Sequence, residues 1–317
     1  MFKKNSILFW IILLVIFVGI YIAVEYTSSA DRTFRSRVST FDTEKISSIV
    51  IRNPGEEALE ITREGEDWKL QVSGKKFKGE AGAIERALEM LNNMMTERVV
   101  ATKEDKWEEY KVDKNQAVIV ELYDGDDRAE KIYIGKFDFK QMPTQNPQQP
   151  QTKATSFVRT EGDKMVFAVN GILRMNFQEG KQSFRDRTLF NCNGYDEIDK
   201  VSISSMNDKI ELDLSSNEWT MNGSPVDSLS TLKYLRSLSR LNSSGFLDDV
   251  NVSGMTPAFT VRIEGSTFAP VSLQAYPADT LVGHYVTSTA NPGTVFDGSK
   301  SRLFEKTFVG KEAFLPE

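Results

Sequence analysis

The fold is decided by the stretch Phe41–Met95, which opens with FDTEKISSIVI at residues 41–51 and returns in altered form at Tyr195–Leu241. Both copies contain short alternating apolar segments, then a tryptophan, then a run with helical spacing. The offset between the copies falls from 154 residues at Phe41/Tyr195 to 124 residues at Phe184/Phe308, while the order of the elements is kept. We infer an internal duplication in which the surface loops of the second copy are shorter.

The periodicity of the apolar residues predicts an α+β fold. Ile49, Ile51, Leu59 and Ile61 lie on alternating positions, which is typical of strands with one buried face. The period then changes to three and four residues, which predicts a helix in each copy. The apolar stripes of these helices are Ile84, Ala87, Leu88, Leu91, Met94 and Met95 in the first copy and Leu229, Leu232, Leu235, Leu238 and Leu241 in the second.

We therefore expect a transmembrane helix followed by two duplicated domains, each an antiparallel sheet with one packing helix. The predicted boundaries are a tail and anchor at 1–26, a linker at 27–40, and repeat domains at 41–194 and 195–317. Further matches between the copies pair Phe184 with Phe308 and Phe190 with Phe314. The stretch 141–153, rich in glutamine and proline, predicts a mobile surface loop because such residues cannot build a core.

The membrane anchor is predicted from Ser6–Val24, which carries no charged residue. A helix of this length spans about 30 Å, the thickness of the hydrocarbon layer of a bilayer. Trp10 and Tyr21 lie near its two ends, where interfacial aromatic residues are expected, so membrane lipid is a predicted partner. The alternative is a cleaved signal peptide with Ser28 and Ala30 before the cut, but the apolar run is longer than the usual signal core of about 7–15 residues.

The composition argues against several functions. A net charge of -6 and a pI near 5.2 disfavour a nucleic-acid partner. His284 is the only histidine and Cys192 the only cysteine, so neither has a second residue of its kind for a zinc site. The sequence has no phosphate-binding glycine loop or nucleophile elbow, and its acidic pairs are adjacent residues that point apart. We predict no enzyme activity, no catalytic residues, no cofactor and no metal.

Trp68 and Trp219 are the remaining candidates for a site, because they occupy equivalent places just before the two helices. Either residue can stack on a ligand, or both can be core residues that were copied with the duplication. The symmetry favours the core. If they do line a groove, a glycan or a peptide is the expected ligand.

The first copy resembles the domain-of-unknown-function 4340 family. The resemblance rests on the membrane anchor, on Phe41-Asp42-x-x-Lys45-Ile46-x-x-Ile49-x-Ile51, on Trp107-x-x-Tyr110-x-Val112, on Ile132-Tyr133-Ile134-Gly135-Lys136 and on Phe184-Arg185-Asp186-Arg187. The long loop at 141–153 departs from the family pattern.

Members of that family are typically encoded beside an ABC-2-type permease, its ATPase and an auxiliary membrane protein of the gliding-motility type. The resemblance implies an accessory subunit of a cell-envelope ABC transporter that acts by protein docking. It would be a single-pass protein of the bacterial inner membrane, with its C-terminal domains in the periplasm or outside the cell. The alternative is a membrane-anchored envelope binding protein for glycan or peptide. The sequence indicates no oligomeric state.

Overall fold

The computed structural model describes residues 36–142, 151–206, 208–215, 218–278 and 283–315. These residues divide between two compact units. Unit 1 consists of the chain up to Ala58 and of Glu85–Gln178, and unit 2 consists of Leu59–Ile84 and of the chain from Glu179 onward. Part of the first sequence copy thus groups with the second copy. The predicted repeat boundary at 194/195 follows the sequence match alone and stays a prediction.

Antiparallel strands form most of the described chain. The first ten strands are β1 (Ser48–Arg52), β2 (Leu59–Glu64), β3 (Asp67–Val72), β4 (Lys75–Lys78), β5 (Thr96–Ala101), β6 (Val118–Asp124), β7 (Asp127–Met142), β8 (Gln151–Thr160), β9 (Val166–Asn170) and β10 (Thr188–Asn191). The others are β11 (Lys200–Ser205), β12 (Lys209–Ser215), β13 (Glu218–Met221), β14 (Ser224–Pro225), β15 (Arg240–Asn242), β16 (Phe259–Glu264), β17 (Val271–Pro277), β18 (His284–Ser288) and β19 (Phe296–Asp297).

The helices in the described residues are short. They are α1 (Ala81–Asn92), α2 (Trp107–Tyr110), α3 (Leu173–Gln178), α4 (Lys181–Phe184), α5 (Ser228–Leu238) and α6 (Leu303–Thr307). Together with the antiparallel sheets they confirm the α+β class. Within the described ranges no helix is both long and apolar enough to cross a bilayer. The predicted anchor, Ser6–Val24, lies outside those ranges.

Each unit is built around antiparallel sheet. In unit 1 the strand order is β1-β6-β7-β8-β9-β5, and in unit 2 the order is β14-β13-β12-β11-β16-β17-β18-β19. Unit 2 also contains the hairpin strands β2, β3 and β4, and the pair β10-β15. In unit 1, β6-β7 and β8-β9 are antiparallel hairpins.

The buried face of α1 is the predicted stripe up to the end of the helix. In α1, Ile84, Ala87, Leu88 and Leu91 are buried, but Met95 is 55% exposed because the helix has ended at Asn92. Met95 instead forms an extended bridge with Arg37.

In α5 the predicted every-third-residue leucine stripe is confirmed at Leu235 and Leu238 and is wrong at Leu229. Leu229 is 80% exposed, whereas Thr231, Tyr234, Leu235 and Leu238 are buried. A spacing of three residues drifts around a helix of 3.6 residues per turn, so Leu229 and Leu238 point in different directions. Leu241, the last member of the stripe, lies in β15.

Two backbone hydrogen bonds bear on the proposed match between the copies. The amide of Glu80, just before α1, donates to the carbonyl of Phe184, and the amide of Asp227, just before α5, donates to the carbonyl of Phe314. By this contact Phe184 resembles Phe314, whereas the sequence match pairs Phe184 with Phe308 and Phe190 with Phe314. The duplication stays a prediction.

The predicted loop at 141–153 is shorter than expected. β7 continues to Met142 and β8 begins at Gln151, and the two strands pair as far as Met142 opposite Gln151. Residues 143–150 of the predicted loop lie outside the described ranges. Polar residues at both ends of the predicted loop pair through their backbones and extend the hairpin, although the composition predicted a loop there.

The chain enters unit 1 along an extended segment at the end of the predicted linker. The amide of Val38 donates to the carbonyl of Met94 at 3.0 Å, and the amide of Thr96 donates to the carbonyl of Ser36 at 3.0 Å. Val38 is 1% exposed. The last part of the linker 27–40 is therefore part of the fold.

In unit 2 a buried arginine joins the β3–β4 hairpin to the segment after β15. The guanidinium carbon of Arg185 lies 4.0 Å from the ring centroids of both Phe77 and Phe246. The guanidinium donates to the carboxylate of Asp248, which also accepts from Lys181 at 2.5 Å. Burial alone would raise the pKa of the Asp248 carboxyl, but the hydrogen bonds from Lys181 and Arg185 hold it below its ordinary value.

Candidate docking surface

The two predicted aromatic candidates both lie in unit 2. Trp68 on β3 is 1% exposed, and its Nε1 has no hydrogen-bond partner in the part of the chain that the structure describes. Trp219 on β13 is half-buried against the core of unit 2. Ser6, Trp10, Tyr21 and Val24, the residues assigned to the membrane anchor, lie outside the described ranges.

The single histidine and the single cysteine are both partly or fully enclosed. His284 stacks on Phe304 with ring centroids 3.7 Å apart, and burial lowers its pKa. Cys192 is a buried free thiol whose pKa is raised by burial. Among the described residues no group of three or more histidine, cysteine, aspartate or glutamate side chains could hold a metal ion.

A polar depression of about 440 Å³ lies where the chain enters unit 1. It is lined by the five consecutive residues 36–40 and by Glu130. Arg37 and Glu130 supply its charged side chains. The hydroxyl of Ser39 is buried there without a hydrogen-bond partner.

The most prominent surface feature of unit 1 is the far end of the β7–β8 hairpin. β6 pairs with β7 only as far as Ile134, and β9 pairs with β8 only between Thr155 and Val158. Beyond these points β7 and β8 pair with each other alone. This two-stranded part begins at Phe139 opposite Ala154. We call the end of the hairpin from Phe137 opposite Ser156 onward, Phe137–Met142 with residues 151–156, the ribbon.

The ribbon has two chemically different faces because alternate residues of a strand point to opposite sides. Phe137, Phe139 and Ala154 share one face, since Phe139 lies opposite Ala154. The rings of Phe137 and Phe139 meet edge to face with centroids 5.5 Å apart. Phe139 is 60% exposed, although a phenylalanine in a folded protein is normally buried.

The opposite face of the ribbon is charged. It contains Asp138, Lys140 and Lys153, with Lys140 directly opposite Lys153. Lys153 forms an ion pair of 2.6 Å with Glu97 on β5. Lysines on exposed strands commonly prevent unwanted pairing between sheet edges. The charged face is therefore suited to water, and the phenylalanine face is the side available for an apolar contact.

The base of the ribbon is fixed by a small core. This core contains the buried residues Ala101, Val112, Ala117, Tyr133, Phe157, Val166 and Ala168. Lys136 lies 5.5 Å from the ring centroid of Tyr110 and 5.7 Å from that of Phe157. A Cβ atom at Gly135 would lie 2.1 Å from the carbonyl oxygen of Tyr110, so only glycine allows this close approach.

Next to the base, Arg159 is held between two aromatic rings. Its guanidinium carbon lies 3.7 Å from the ring centroid of Trp107 and 3.6 Å from that of Tyr133. Its Nε donates to the carbonyl of Val112 at 3.1 Å. These contacts pin α2 and the loop after it onto the sheet, so the ribbon extends from a well-packed base.

On the same sheet Glu121 is 4% exposed and is neutralised by two cations. It accepts from Arg52 at 2.5 Å and pairs with Lys131 at 2.9 Å. Burial alone would raise its pKa, but these two partners lower the pKa to about 2. This carboxylate stays ionised at any physiological pH and serves structure rather than proton transfer.

Sequence reasoning missed the ribbon. The predicted loop began at Gln141, and Phe137 and Phe139 were assigned to no strand. The alternation of Lys136, Phe137, Asp138, Phe139 and Lys140 was the available signal, since it continues the strand period.

The fold and surface define an α+β protein of antiparallel sheets with a ribbon that exposes Phe139 on one face. The family model described as "Domain of unknown function (DUF4340)" matches residues 71–258, more than half of the chain. The chain belongs to this family. No curated protein and no solved structure matches it significantly.

Proposed function

We propose that this protein is a non-enzymatic accessory subunit of a cell-envelope ABC transporter complex that acts by docking to other proteins of the complex. The observation that carries the proposal is the ribbon, which presents Phe139 at 60% exposure on an apolar face. Exposed aromatic residues are enriched in the central, energetically important part of protein interfaces.

The proposal includes the finer architecture predicted from the sequence. Ser6–Val24 anchors the chain in the bacterial inner membrane as a single-pass helix, and two duplicated α+β domains lie in the periplasm or outside the cell. The partners are an ABC-2-type permease, its ATPase and an auxiliary membrane protein, as the family resemblance implies. The absence of a nucleotide-binding loop from the sequence fits a subunit whose energy comes from another chain.

The alternative function, binding of a glycan or a peptide through Trp68 and Trp219, has less support. A ligand can stack only on an aromatic face that it can reach. Trp68 is 1% exposed, and the guanidinium of Arg63 lies 5.0 Å from its ring centroid. The half-buried Trp219 would have to supply the stacking surface alone.

The experiment is purification of the full chain with a C-terminal tag from native membranes in mild detergent, followed by mass spectrometry. We expect stoichiometric recovery of a permease and an ATPase with the wild-type chain. Phe139→Ser should lose both proteins, because serine removes the apolar contact at an exposed site without opening a core cavity. Leu229→Ser is the matched control, since Leu229 is 80% exposed on unit 2.

Three results would contradict the proposal. Recovery of the chain alone, or with wall fragments, would reject the accessory subunit. Equal recovery by Phe139→Ser and the wild type would reject the ribbon as the docking surface. Recovery that survives replacement of Ser6–Val24 by a cleavable signal sequence would reject the anchor as part of the assembly.

A further inference from the structure

Three arginine side chains of the described chain are buried enough for their pKa to be lowered by desolvation, and they differ in their partners. Arg185 is neutralised by Asp248, and Arg159 donates to a carbonyl between two aromatic rings. Arg174 on α3 is half-buried, and its Nη1 is enclosed without a hydrogen-bond partner. Burial lowers the pKa of Arg174, and no charge partner among the described residues offsets this effect.

An unpaired and partly desolvated cation is costly. A guanidinium loses hydration when it is buried, and only hydrogen bonds or an opposite charge restore that loss. The described part of unit 1 provides neither to Nη1 of Arg174. Arg159 donates to the carbonyl of Val112, and the charge of Arg185 is neutralised by Asp248 although its Nε is also without a hydrogen-bond partner in the described chain. Arg174 has no such carboxylate among its described contacts.

Arg174 lies beside the ribbon. α3 packs against β7. The amide of Gly171 donates to the carbonyl of Ala154 at 3.0 Å, and the amide of Leu173 donates to the hydroxyl of Ser156 at 3.0 Å. Ala154 and Ser156 are the cross-strand partners of Phe139 and Phe137. The start of α3 is thus joined to the strand that pairs with the two phenylalanines.

The neighbourhood of Arg174 contains further exposed apolar surface. Met175, the next residue on α3, is 51% exposed. A partner that covers Phe139 and Met175 would exclude water from the region around the guanidinium. Exclusion of water would strengthen any charge pair formed there, and a carboxylate matches the planar donor fork of an arginine.

We infer that Arg174 receives an aspartate or glutamate side chain from the protein that docks on the ribbon. The inference rests on the proposed function and states the chemistry of the partner: an apolar surface that carries one carboxylate. The partner's carboxylate supplies the hydrogen bonds that Nη1 lacks. The phenylalanines contribute the apolar contact. The charge pair at Arg174 fixes the position of the partner on the ribbon and favours an acidic partner.

The test uses the full tagged chain in native membranes and compares Arg174→Gln, Arg174→Lys and Arg98→Gln with the wild type. Arg98 is an exposed arginine on β5 of unit 1 and serves as the charge-matched control. We expect Arg174→Gln to reduce the recovered permease per tagged chain at least about tenfold, as loss of a buried charge pair does. Arg174→Lys should restore part of the recovery, and Arg98→Gln should leave it unchanged.

The thermal midpoint of each purified variant separates this inference from a structural role. Arg174→Gln should unfold at the wild-type temperature or above it, because the substitution removes an uncompensated charge. A midpoint lowered by several degrees would assign Arg174 to the fold and overturn the inference. If Arg174→Gln recovers as much permease and as much bound phospholipid as the wild type, the inference is also overturned. If it recovers as much permease but less bound phospholipid, the anion is a lipid phosphate and the inference is overturned too.

Failure of the inference and failure of the proposed function give different results. If Phe139→Ser loses the permease but Arg174→Gln retains it, the docking function stands and the role of Arg174 is rejected. If the wild-type chain recovers no partner, both are rejected.

Discussion

Replacement of Asp248 by asparagine should be among the most damaging single changes in unit 2. The substitution keeps the size of the side chain and removes its charge. It leaves the guanidinium of Arg185 buried between Phe77 and Phe246, with its side chain only 2% exposed. It also removes the ion pair with Lys181.

The expected loss in the free energy of unfolding is about 3–5 kcal/mol, the usual cost of breaking a buried ion pair by removing one partner. The neighbouring Asp249 provides a control of identical chemistry. It pairs with Lys75 at 2.9 Å, but its side chain is 97% exposed. Asp249→Asn should therefore change the stability by less than about 1 kcal/mol.

A double variant tests the cause of the effect. In Arg185→Met with Asp248→Asn, a methionine takes the place of the guanidinium between the two phenylalanine rings. A buried ion pair replaced by apolar residues of similar volume is often as stable as the original, and methionine packs well against aromatic rings. The double variant should recover most of the stability lost by Asp248→Asn alone.

The assay is unfolding in urea followed by tryptophan fluorescence. Trp68 and Trp219 both belong to unit 2, so a background with Trp10→Phe and Trp107→Phe reports on that unit. A loss below about 1 kcal/mol for Asp248→Asn, equal to that for Asp249→Asn, would refute the reasoning. So would a double variant that is less stable than either single variant.

The same pair predicts a dependence on pH. The pKa of Asp248 in the folded protein lies below its ordinary value, so its contribution is fully present above the unfolded pKa. The contribution is lost as the pH falls through the lower folded value. Asp248→Asn should therefore flatten the acid limb of the stability curve of unit 2.

The remaining predictions concern packing and a second buried charge. Gly135→Ala should destabilise unit 1 by about 1–3 kcal/mol in urea unfolding, because its Cβ would meet the Tyr110 carbonyl oxygen at 2.1 Å; wild-type stability would contradict this. Trp68→Ala should cost about 3–5 kcal/mol in thermal unfolding, and the half-buried Trp219→Ala clearly less; equal losses would contradict the assigned burial. Glu121→Gln should cost about 1.5–3 kcal/mol at neutral pH. That difference should shrink as the pH falls towards the folded pKa of about 2, and a pH-independent difference would exclude the charge as its cause.

The local elements could be predicted from the sequence because strands and helices have different periods. Ile49 and Ile51 in β1 and Ile84, Leu88 and Leu91 in α1 are buried as their spacing indicates. The prediction fails where the spacing of the apolar residues only approximates the period of the helix. The leucines of α5 recur at every third residue, and the helix turns them away from one another along its length.

The division into units could not be predicted, because periodicity gives the buried face of a segment but not the surface that buries it. The segment Leu59–Ile84 belongs to the first copy by sequence and to unit 2 by contact. The contacts of Arg185 depend on residues more than 60 positions away, so no local pattern indicates them. Arg174 has no pattern either, since its distinguishing property is that its Nη1 has no hydrogen-bond partner among the described residues.

The grouping of Leu59–Ile84 with the later chain has a consequence during synthesis. β2, β3 and β4 leave the ribosome about 170–190 residues before Phe246 and Asp248, which hold Arg185 against their hairpin. At about 5–20 residues per second, synthesis of the intervening chain takes on the order of ten seconds, and the hairpin cannot make these contacts earlier. During that delay the side chains of Trp68 and Phe77 are not yet buried as they are in the folded protein. A nascent chain stalled before Phe246 should bind chaperones at this hairpin, and one extended past Asp248 should release them.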